Sequence, residues 1–203
     1  MTPPKTSIRN PSAARQSEII AVVLELAATR SPALITTAEI ARAMGLTQGA
    51  VFKHFPNKLS IWLAVMAWTN TTLTAALEDA AQPSTDALLC LRAVFFEHVR
   101  FVVQHPGVPR LIFSELQQAD DSPIKAEVRS LLIGYRQLLL RLLKQAEGAG
   151  QLGAGVDKAA AAANFIGAIQ GLVMQAMLAG SFTHMEDEAH RTFPLYLRAI
   201  GVH

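Results

Sequence analysis

TTAEIARAMGLTQGAVFKHFPNK, residues 36–58, is the stretch that decides the fold of the N-terminal part of the chain. Thr36 followed three positions later by Glu39 forms a capping box, which predicts that a helix begins here. Gly45 marks the end of that helix, because glycine adopts the left-handed conformation without a steric penalty. Thr47 predicts the N-cap of a second short helix. Two short helices joined by a tight turn indicate a helix-turn-helix, whose second helix enters a DNA major groove; an ordinary helical hairpin has the same spacing.

A longer stretch around this motif resembles a known protein family. Residues 38–62, AEIARAMGLTQGAVFKHFPNKLSIW, resemble the DNA-binding signature of the TetR family of bacterial transcriptional regulators. The matching positions are Ile40, Ala41, Gly45, Leu46, Thr47, Gly49, Val51, His54, Phe55 and Lys58. Ala50 replaces the usual threonine and Phe52 the usual tyrosine, so two hydroxyls that commonly reach DNA are missing.

The resemblance implies a homodimeric regulator of transcription that binds double-stranded DNA at a palindromic operator. The residues expected to form the DNA-binding face are Thr36, Thr37, Thr47, Gln48, Gly49, Ala50, Phe52, Lys53, His54 and Lys58. We expect Gln48 and Lys53 to meet base edges, and Thr47 and His54 to meet phosphates. Lys58 is expected to meet a phosphate at the start of the next helix.

Composition and charge agree with this interpretation. The chain has 203 residues, of which 51% are hydrophobic and 17% charged, so it is globular and long enough for a full core. The net charge of +2 conceals an uneven distribution, because residues 1–60 carry seven basic and three acidic side chains. A basic front end suits a domain that meets phosphate. The single cysteine, Cys90, cannot form an intramolecular disulfide and fits a reducing cytoplasm.

Helical periodicity continues to the C-terminus, and no segment alternates like a β-strand. The sequence therefore predicts an all-α protein, with a three-helix helix-turn-helix domain at residues 1–57 and a larger helical domain at residues 58–203. A helix over residues 57–81 is expected to link the two domains. Residues 1–9 are predicted to be a loose arm, either a simple disordered tail or one in which Lys5 and Arg9 touch the DNA backbone.

The segment 159–180 is long enough to be weighed as a membrane span. Asn164, Gln170 and Gln175 interrupt it and no basic cluster flanks it, which favours a soluble helix. Its small residues permit close helix packing, and the family resemblance places a dimer seam in the last two helices. The residues expected at this dimer interface are Ala168, Gly171, Leu172, Gln175, Phe193 and Leu197.

Aromatic side chains accumulate in the second domain, with a few polar groups on the same helices. Such a combination is typical of a small-ligand site, although a packed aromatic core gives the same pattern. The residues predicted to bind a mainly hydrophobic effector are Phe95, His98, Val99, Phe113, Tyr135, Leu139, Asn164, Phe165 and Ile169.

An enzyme is the competing class of protein. The sequence contains no catalytic triad signature, no phosphate-binding glycine loop and no metal-ligand cluster of recognised spacing. His184 with Glu188 is a conceivable metal pair, but a solvated helix start explains it more simply. We therefore predict a regulator without a cofactor or metal. The alternative is a DNA-binding protein of the same fold that acts without a small-molecule inducer, for example in DNA organisation.

Overall fold

A computed structural model describes residues 11–82 and 84–202 of the chain. These ranges contain nine α-helices and one short 3-10 helix and no β-strand, which confirms the all-α prediction. The predicted arm at residues 1–9 and the predicted helix breaker Pro83 lie outside the described residues.

Five helical segments make up the N-terminal part and its continuation. They are α1 (Pro11–Thr29), the 3-10 helix (Pro32–Leu34), α2 (Thr37–Ala43), α3 (Gln48–Phe52) and α4 (Lys58–Ala80). The remaining helices are α5 (Ala87–Gln104), α6 (Gly107–Leu116), α7 (Pro123–Gly148), α8 (Lys158–Ala179) and α9 (Met185–Ala199).

Local signals in the sequence produce the α2–α3 pair as predicted. The Thr36 side chain accepts from the Glu39 amide while the Glu39 carboxylate accepts from the Thr36 amide, so the capping box is complete. Gly45 has a φ of 65°, the left-handed value that ends α2 without strain. The Thr47 hydroxyl accepts from the Ala50 amide and caps α3. Val51 is fully buried, so α3 is anchored by its inward face.

Packing of α1, α2, α3 and the first turns of α4 forms the core of the N-terminal part. Its buried apolar side chains include Ile19, Val23, Ala27, Ile35, Ile40, Val51, Phe55 and Ile61. An ion pair between Arg30 and Glu39, with 2.8 Å between Nη1 and Oε1, joins the end of α1 to the start of α2. Helix α4 then runs out of this core and packs against α5 and α7.

Helix α5 lies at the centre of the larger part, where it packs against α4, α7, α8 and α9. This surround explains why Leu91, Val94, Phe95 and Val99 of α5 have no exposed surface. Helices α8 and α9 pack side by side at the far end of the chain. The buried side chains of all these helices join those of the N-terminal part in one continuous hydrophobic core.

Two loop details differ from expectation. The spacing of Thr183 and Glu186 in the sequence predicts a second capping box, but α9 begins at Met185 and its N-cap, His184, makes no side-chain cap hydrogen bond. The Thr183 amide donates to Ser181 Oγ instead. The glycine-rich connection before α8 is hydrogen-bonded to the C-terminal end of α9. The Gly153 amide donates to the Ile200 carbonyl at 2.9 Å, and the two glycine backbones at 153 and 201 touch.

The joint between the N-terminal part and the body is formed by α1 and α6. Gly107, the first residue of α6, lies so close to α1 that an added Cβ would stand 2.3 Å from the Leu24 carbonyl oxygen. Leu24 is itself buried in this contact. Helix α6 also touches the 3-10 helix. Only glycine permits so close a contact between the two backbones.

Candidate DNA-binding face and ligand cavity

The predicted DNA-binding residues lie on one side of the N-terminal part, around α3. The exposed members of the set are Thr36, Thr47, Gln48, Gly49, Phe52 and Lys53, and the half-buried members are Thr37, Ala50, His54 and Lys58. Phe52 keeps 41% of its surface exposed although it is a large apolar side chain. An exposed aromatic ring at this place can contact a thymine methyl group in the major groove.

A hydrogen bond connects the beginnings of α2 and α3. Gln48 Nε2 donates to Thr37 Oγ1 at 2.7 Å, so both side chains are held on the same exposed edge. An amide that already has one partner is oriented before DNA arrives, and its oxygen remains available to a base edge. The structure thus brings two of the predicted DNA contacts together.

Lys58 has a second role that the sequence did not reveal. Its Nζ donates to the Ala33 carbonyl at 3.0 Å and lies 5.8 Å above the centre of the Trp62 ring. Partial burial lowers the pKa of the ammonium. Two of its three N–H donors remain for a phosphate beside the N-terminus of α4. Lys58 therefore also ties the 3-10 helix to α4.

His54 points partly toward α1, not simply outward as the sequence suggested. Its Nδ1 lies 3.4 Å from Ser12 Oγ, and its carbonyl accepts from Gln16 Nε2 at 3.3 Å. These contacts fix the end of α3 against the start of α1. A phosphate contact from His54 would use the other ring nitrogen.

Glu39 stabilises the helix-turn-helix as an anion. Hydrogen bonding from the Thr36 backbone, and then from Arg30, lowers the pKa of its carboxyl group to about 2. The carboxylate also satisfies an otherwise unpaired amide at the N-terminus of α2. It is thus charged at every physiological pH.

A cavity of about 120 Å³ lies in the body between α4, α5, α6, α7 and α8. Its walls are almost entirely apolar. The lining residues are Thr69, Leu73, His98, Phe101, Val102, Val108, Pro109, Ile112, Phe113, Leu116, Val128, Leu131, Leu132, Tyr135, Ile166, Ile169, Gln170 and Val173. A concave, mainly apolar space with few polar groups is the usual form of a small-ligand site.

Two polar side chains in the cavity wall form a pair. His98 Nδ1 of α5 lies 3.2 Å from the Tyr135 hydroxyl of α7, and the two rings meet edge to face. Burial lowers the pKa of His98 to about 4, so the imidazole is neutral at physiological pH. Burial also raises the pKa of the Tyr135 hydroxyl, which stays protonated. The pair is therefore polar and uncharged.

Only part of the predicted effector set lines this cavity. His98, Phe113, Tyr135 and Ile169 do so. Phe95 and Phe165 contact each other edge to face with 5.2 Å between ring centres and are fully buried in the core, as are Val99 and Leu139. Asn164 is exposed, whereas its neighbour Phe165 is buried, and Asn164 does not line the cavity. These five residues therefore do not line this cavity, because neighbouring residues on a helix face different directions.

Helix α6 supplies more of the wall than the sequence indicated. Val108, Pro109, Ile112, Phe113 and Leu116 all line the cavity, although only Phe113 was predicted. A second omission is α4, which contributes Thr69 and Leu73. The apolar spacing of α6 was a usable signal, whereas nothing in the sequence indicated that α4 reaches the cavity.

The predicted dimer residues divide between surface and core. Gly171 and Gln175 of α8 are exposed, and Ala168 and Leu197 are half-buried. Leu172 is 6% exposed and belongs mainly to the core. Phe193 is 3% exposed and packs inside the chain on Phe95, with 5.1 Å between ring centres.

The exposed residues of α8 are all uncharged, whereas those of α9 include Glu186, Asp187, Arg191 and Arg198 beside one exposed leucine. Leu178 is 81% exposed, Leu195 57% and Met174 42%. A Cβ built on Gly167 or Gly171 meets nothing within 4 Å, so the glycines of α8 leave open space on this face. Helix α8 is also the one helix in the described ranges that is long and apolar enough to cross a membrane by length and composition.

His184 and Glu188 form no metal site with their neighbours. Within residues 11–82 and 84–202 no group of three or more His, Cys, Asp and Glu side chains is arranged to hold a metal ion. His184 instead lies 3.8 Å from a carboxylate oxygen of Asp187 on the surface of α9.

Among curated proteins, the chain is similar to nucleoid occlusion factors named SlmA. The factor of Haemophilus ducreyi is 23% identical over 142 residues, which cover 70% of this chain and 68% of that protein. The factor of Vibrio cholerae is 22% identical over 158 residues, 77% of this chain and 81% of that protein.

Solved structures share the fold over nearly the whole chain. The fatty acid degradation regulator FadR from Bacillus halodurans superposes with a TM-score of 0.82 at 17% identity, covering 97% of this chain and all (100%) of that one. FadR from Bacillus subtilis in complex with stearoyl-CoA superposes with a TM-score of 0.77 at 18% identity, covering 91% of this chain and 98% of that one. A complex of SmeT with triclosan superposes with a TM-score of 0.74 at 20% identity, covering 92% of this chain and 91% of that one.

Two family models match the chain in sequence. Residues 19–65, which include the whole α2–α3 pair, match the model of the bacterial regulatory proteins of the tetR family. Residues 111–193 match a tetracyclin repressor-like C-terminal domain. Together the two matches span well over half of the 203 residues and join the DNA-reading motif to the domain that contains the cavity. The chain therefore belongs to the TetR family of DNA-binding transcriptional regulators.

Proposed function

We propose that this protein is a homodimeric transcriptional repressor that leaves a palindromic operator when a small hydrophobic effector enters the cavity. In this proposal residues 1–57 bind DNA, and residues 58–203 bind the effector and dimerise. The observation that carries the proposal is the double contact of α6, which lines the cavity with one side and packs its first residue, Gly107, on α1.

The uncharged exposed face of α8, together with the exposed Leu195 of α9, supports the dimer. Large apolar side chains such as Leu178 and Leu195 are exposed there, and the open space at Gly167 and Gly171 lets a second helix approach closely. A large exposed apolar patch on a folded chain is typical of an interaction site. Two-fold pairing presents two copies of α3 in opposite directions, which matches a DNA site with two-fold symmetry.

Coupling between the cavity and DNA follows from the rigidity of the α1–α6 joint. A ligand larger than the present space favours an arrangement in which α6 lies farther from α7 and α8. Because the backbones at Gly107 and Leu24 already touch, α6 cannot move toward α1 without moving it. The displaced α1 carries α3 with it through the contacts between α1 and His54. DNA affinity then falls by a shift of population between two states.

The chemistry of the walls supports an effector that is mainly hydrophobic with one hydrogen-bonding end. Stearoyl-CoA in Bacillus subtilis FadR and triclosan in SmeT illustrate how different the ligands of this fold are. The cavity of about 120 Å³ is smaller than the roughly 300–1,000 Å³ of sites for drug-sized ligands. A small compound therefore fits it better than a long acyl chain.

Thermal melting against a panel of small aromatic and aliphatic compounds, with and without DNA, tests the proposal. The DNA is a duplex selected from a random pool by the protein itself. An inducer is expected to stabilise the free protein and to weaken the DNA complex, because the two equilibria are reciprocally linked. A panel of compounds that stabilise the protein without affecting DNA binding would contradict the induction mechanism.

The similarity to nucleoid occlusion factors favours one alternative function, DNA binding without a small-molecule inducer. In that case DNA binding is unaffected by any ligand, and a reporter controlled by the selected DNA site does not respond to the protein. Both proposals place the protein in the cytoplasm with the DNA, and neither assigns it an enzymatic activity or a cofactor.

A further inference from the structure

The cavity offers no charge to a ligand. No Lys, Arg, Asp or Glu is among the described residues that line it. Its only titratable side chains are His98 and Tyr135, which are both neutral at physiological pH because burial disfavours their charged forms. A carboxylate or ammonium group brought here loses its hydration and gains no opposite charge, a penalty of several kcal/mol in general.

The hydrogen-bonding capacity of the cavity is concentrated in one pair. The Thr69 hydroxyl donates to the Val65 carbonyl of its own helix, at 2.9 Å, so it can offer a ligand an acceptor but no donor. Gln170 is an exposed residue, so its amide reaches solvent at the cavity's edge. His98 and Tyr135 bond to each other and have no further hydrogen-bond partner within the described chain.

The free capacity of this pair does not depend on the tautomer of His98. If the Tyr135 hydroxyl donates to Nδ1, then Nε2–H is a free donor and the phenolic oxygen is a free acceptor. If Nδ1–H donates to the phenolic oxygen, the Tyr135 hydroxyl is a free donor and Nε2 a free acceptor. Either arrangement presents one donor and one acceptor. A neutral group that both accepts and donates complements it, and a hydroxyl group is the smallest such group.

The size of the cavity limits the rest of the ligand. An apolar cavity of roughly 150 Å³ in another protein holds one benzene molecule. About 120 Å³ is therefore space for one aromatic ring or a short alkyl chain after slight expansion. The rings of Phe101 and Phe113 line this space and can pack on an aromatic ligand.

We propose that the cavity selects uncharged alcohols or phenols with a body of about one aromatic ring, and that the His98–Tyr135 pair reads the hydroxyl group. This inference rests on the proposed function for the location of the effector site, but it predicts binding and not DNA release. Carboxylates of the same shape are disfavoured, because no cation is among the described residues that line the site.

Three probes of similar size test the selection by calorimetry at neutral pH on the full-length protein: benzyl alcohol, benzoate and toluene. We expect benzyl alcohol to bind at least about tenfold more tightly than benzoate, since tenfold corresponds to only about 1.4 kcal/mol. Benzyl alcohol is expected to bind about two- to tenfold more tightly than toluene, the range of a net hydrogen bond. Benzoate binding as tightly as the alcohol, or no binding of the alcohol, would overturn the proposal.

Two matched variants separate reading of the hydroxyl from a general effect on packing. Tyr135→Phe removes one member of the pair, so the ratio of alcohol to toluene affinity should fall toward one. Tyr196→Phe removes another buried tyrosine hydroxyl, which has no hydrogen-bond partner and does not line the cavity. The ratio of alcohol to toluene affinity in Tyr196→Phe should equal that of the wild type. An unchanged ratio in Tyr135→Phe would refute the role of the pair.

The same probes distinguish this inference from the proposed function. Selective binding of benzyl alcohol without any change in DNA affinity would support the selection and count against induction. Non-selective binding that does weaken DNA affinity would support induction and refute the selection.

Discussion

Substituting Gly107 by alanine tests the α1–α6 joint directly. The added Cβ would stand 2.3 Å from the Leu24 carbonyl oxygen and 3.1 Å from Ala27 Cβ. Close C···O contacts in proteins lie at about 3.3–3.6 Å, so the two helices must separate locally by about 1 Å. A backbone carbonyl cannot turn away as a flexible side chain can. The strain must therefore be distributed over α1 and α6.

Overpacking of this kind costs about 1–3 kcal/mol in a well-packed interior. For a chain of this length each kcal/mol lowers the melting temperature by about 2–4 °C, so Gly107→Ala should melt about 2–12 °C below the wild type. Because α1 packs against α2 and is hydrogen-bonded to His54 at the end of α3, we also expect weaker DNA binding by the folded variant. Calorimetric melting at matched protein concentration measures the first effect and fluorescence anisotropy with labelled DNA the second.

Gly134→Ala is the matched control. Gly134 is also helical, but it is exposed on α7 and an added Cβ meets nothing within 4 Å. Alanine there should stabilise the protein by up to about 1 kcal/mol, because it favours the helix and restricts the unfolded chain. If Gly107→Ala were as stable as Gly134→Ala and bound DNA like the wild type, the rigid joint would be refuted.

Three further predictions concern the DNA face, the dimer and acid stability. Lys58→Ala should weaken binding to specific and to random duplexes about equally and should reduce the salt dependence of binding, measured by anisotropy across salt concentrations. A loss of affinity confined to the specific duplex would contradict a phosphate contact. Gly171→Trp should give monomers in sedimentation, because it places a large side chain in the proposed dimer interface, whereas Gly134→Trp should not. An added Cβ meets nothing within 4 Å at either position, so the chain itself leaves room at both. A dimeric Gly171→Trp would place the dimer interface elsewhere. The pKa of Glu39 is lowered to about 2, so the stability that its carboxylate contributes is complete above about pH 4.5 and is lost as the pH falls toward 2. Glu39→Gln should therefore reduce the slope of melting temperature against pH in that window. A slope equal to that of the wild type would refute this role of Glu39.

The helix-turn-helix could be predicted from the sequence because its determinants are local. The capping box at Thr36, the left-handed Gly45 and the cap at Thr47 each act over three or four residues. Such signals depend on hydrogen bonds and backbone sterics, and a longer-range contact does not override them here. The ends of α8 are local in the same way, since Asp157 caps it and Gly180 ends it in the left-handed conformation.

The cavity was only partly predictable because its residues are selected by the packing of whole helices. Phe165 and Asn164 are adjacent in sequence, yet one is fully buried and the other exposed. Periodicity gives a helix an inward face but does not say whether that face meets another ring or an open space. The rings of Phe95 and Phe165 meet each other, whereas those of Phe113 and Tyr135 border the cavity.

Gly107 shows a different limit. In the sequence, Pro106 followed by Gly107 marks the end of a helix, and α5 does end at Gln104. The contact of Gly107 with α1 involves residues more than eighty positions apart in the chain. No local pattern distinguishes a glycine that breaks a helix from one that lets two backbones touch.

The central claim is that occupation of the cavity and binding of DNA oppose each other. The most direct measurement is the affinity of the full-length protein for its selected duplex, with and without a saturating concentration of the cavity ligand that stabilises it most. We predict that the ligand weakens DNA binding about 5- to 150-fold, and that DNA weakens ligand binding by the same factor. Equal DNA affinity with the cavity empty and filled would contradict the account.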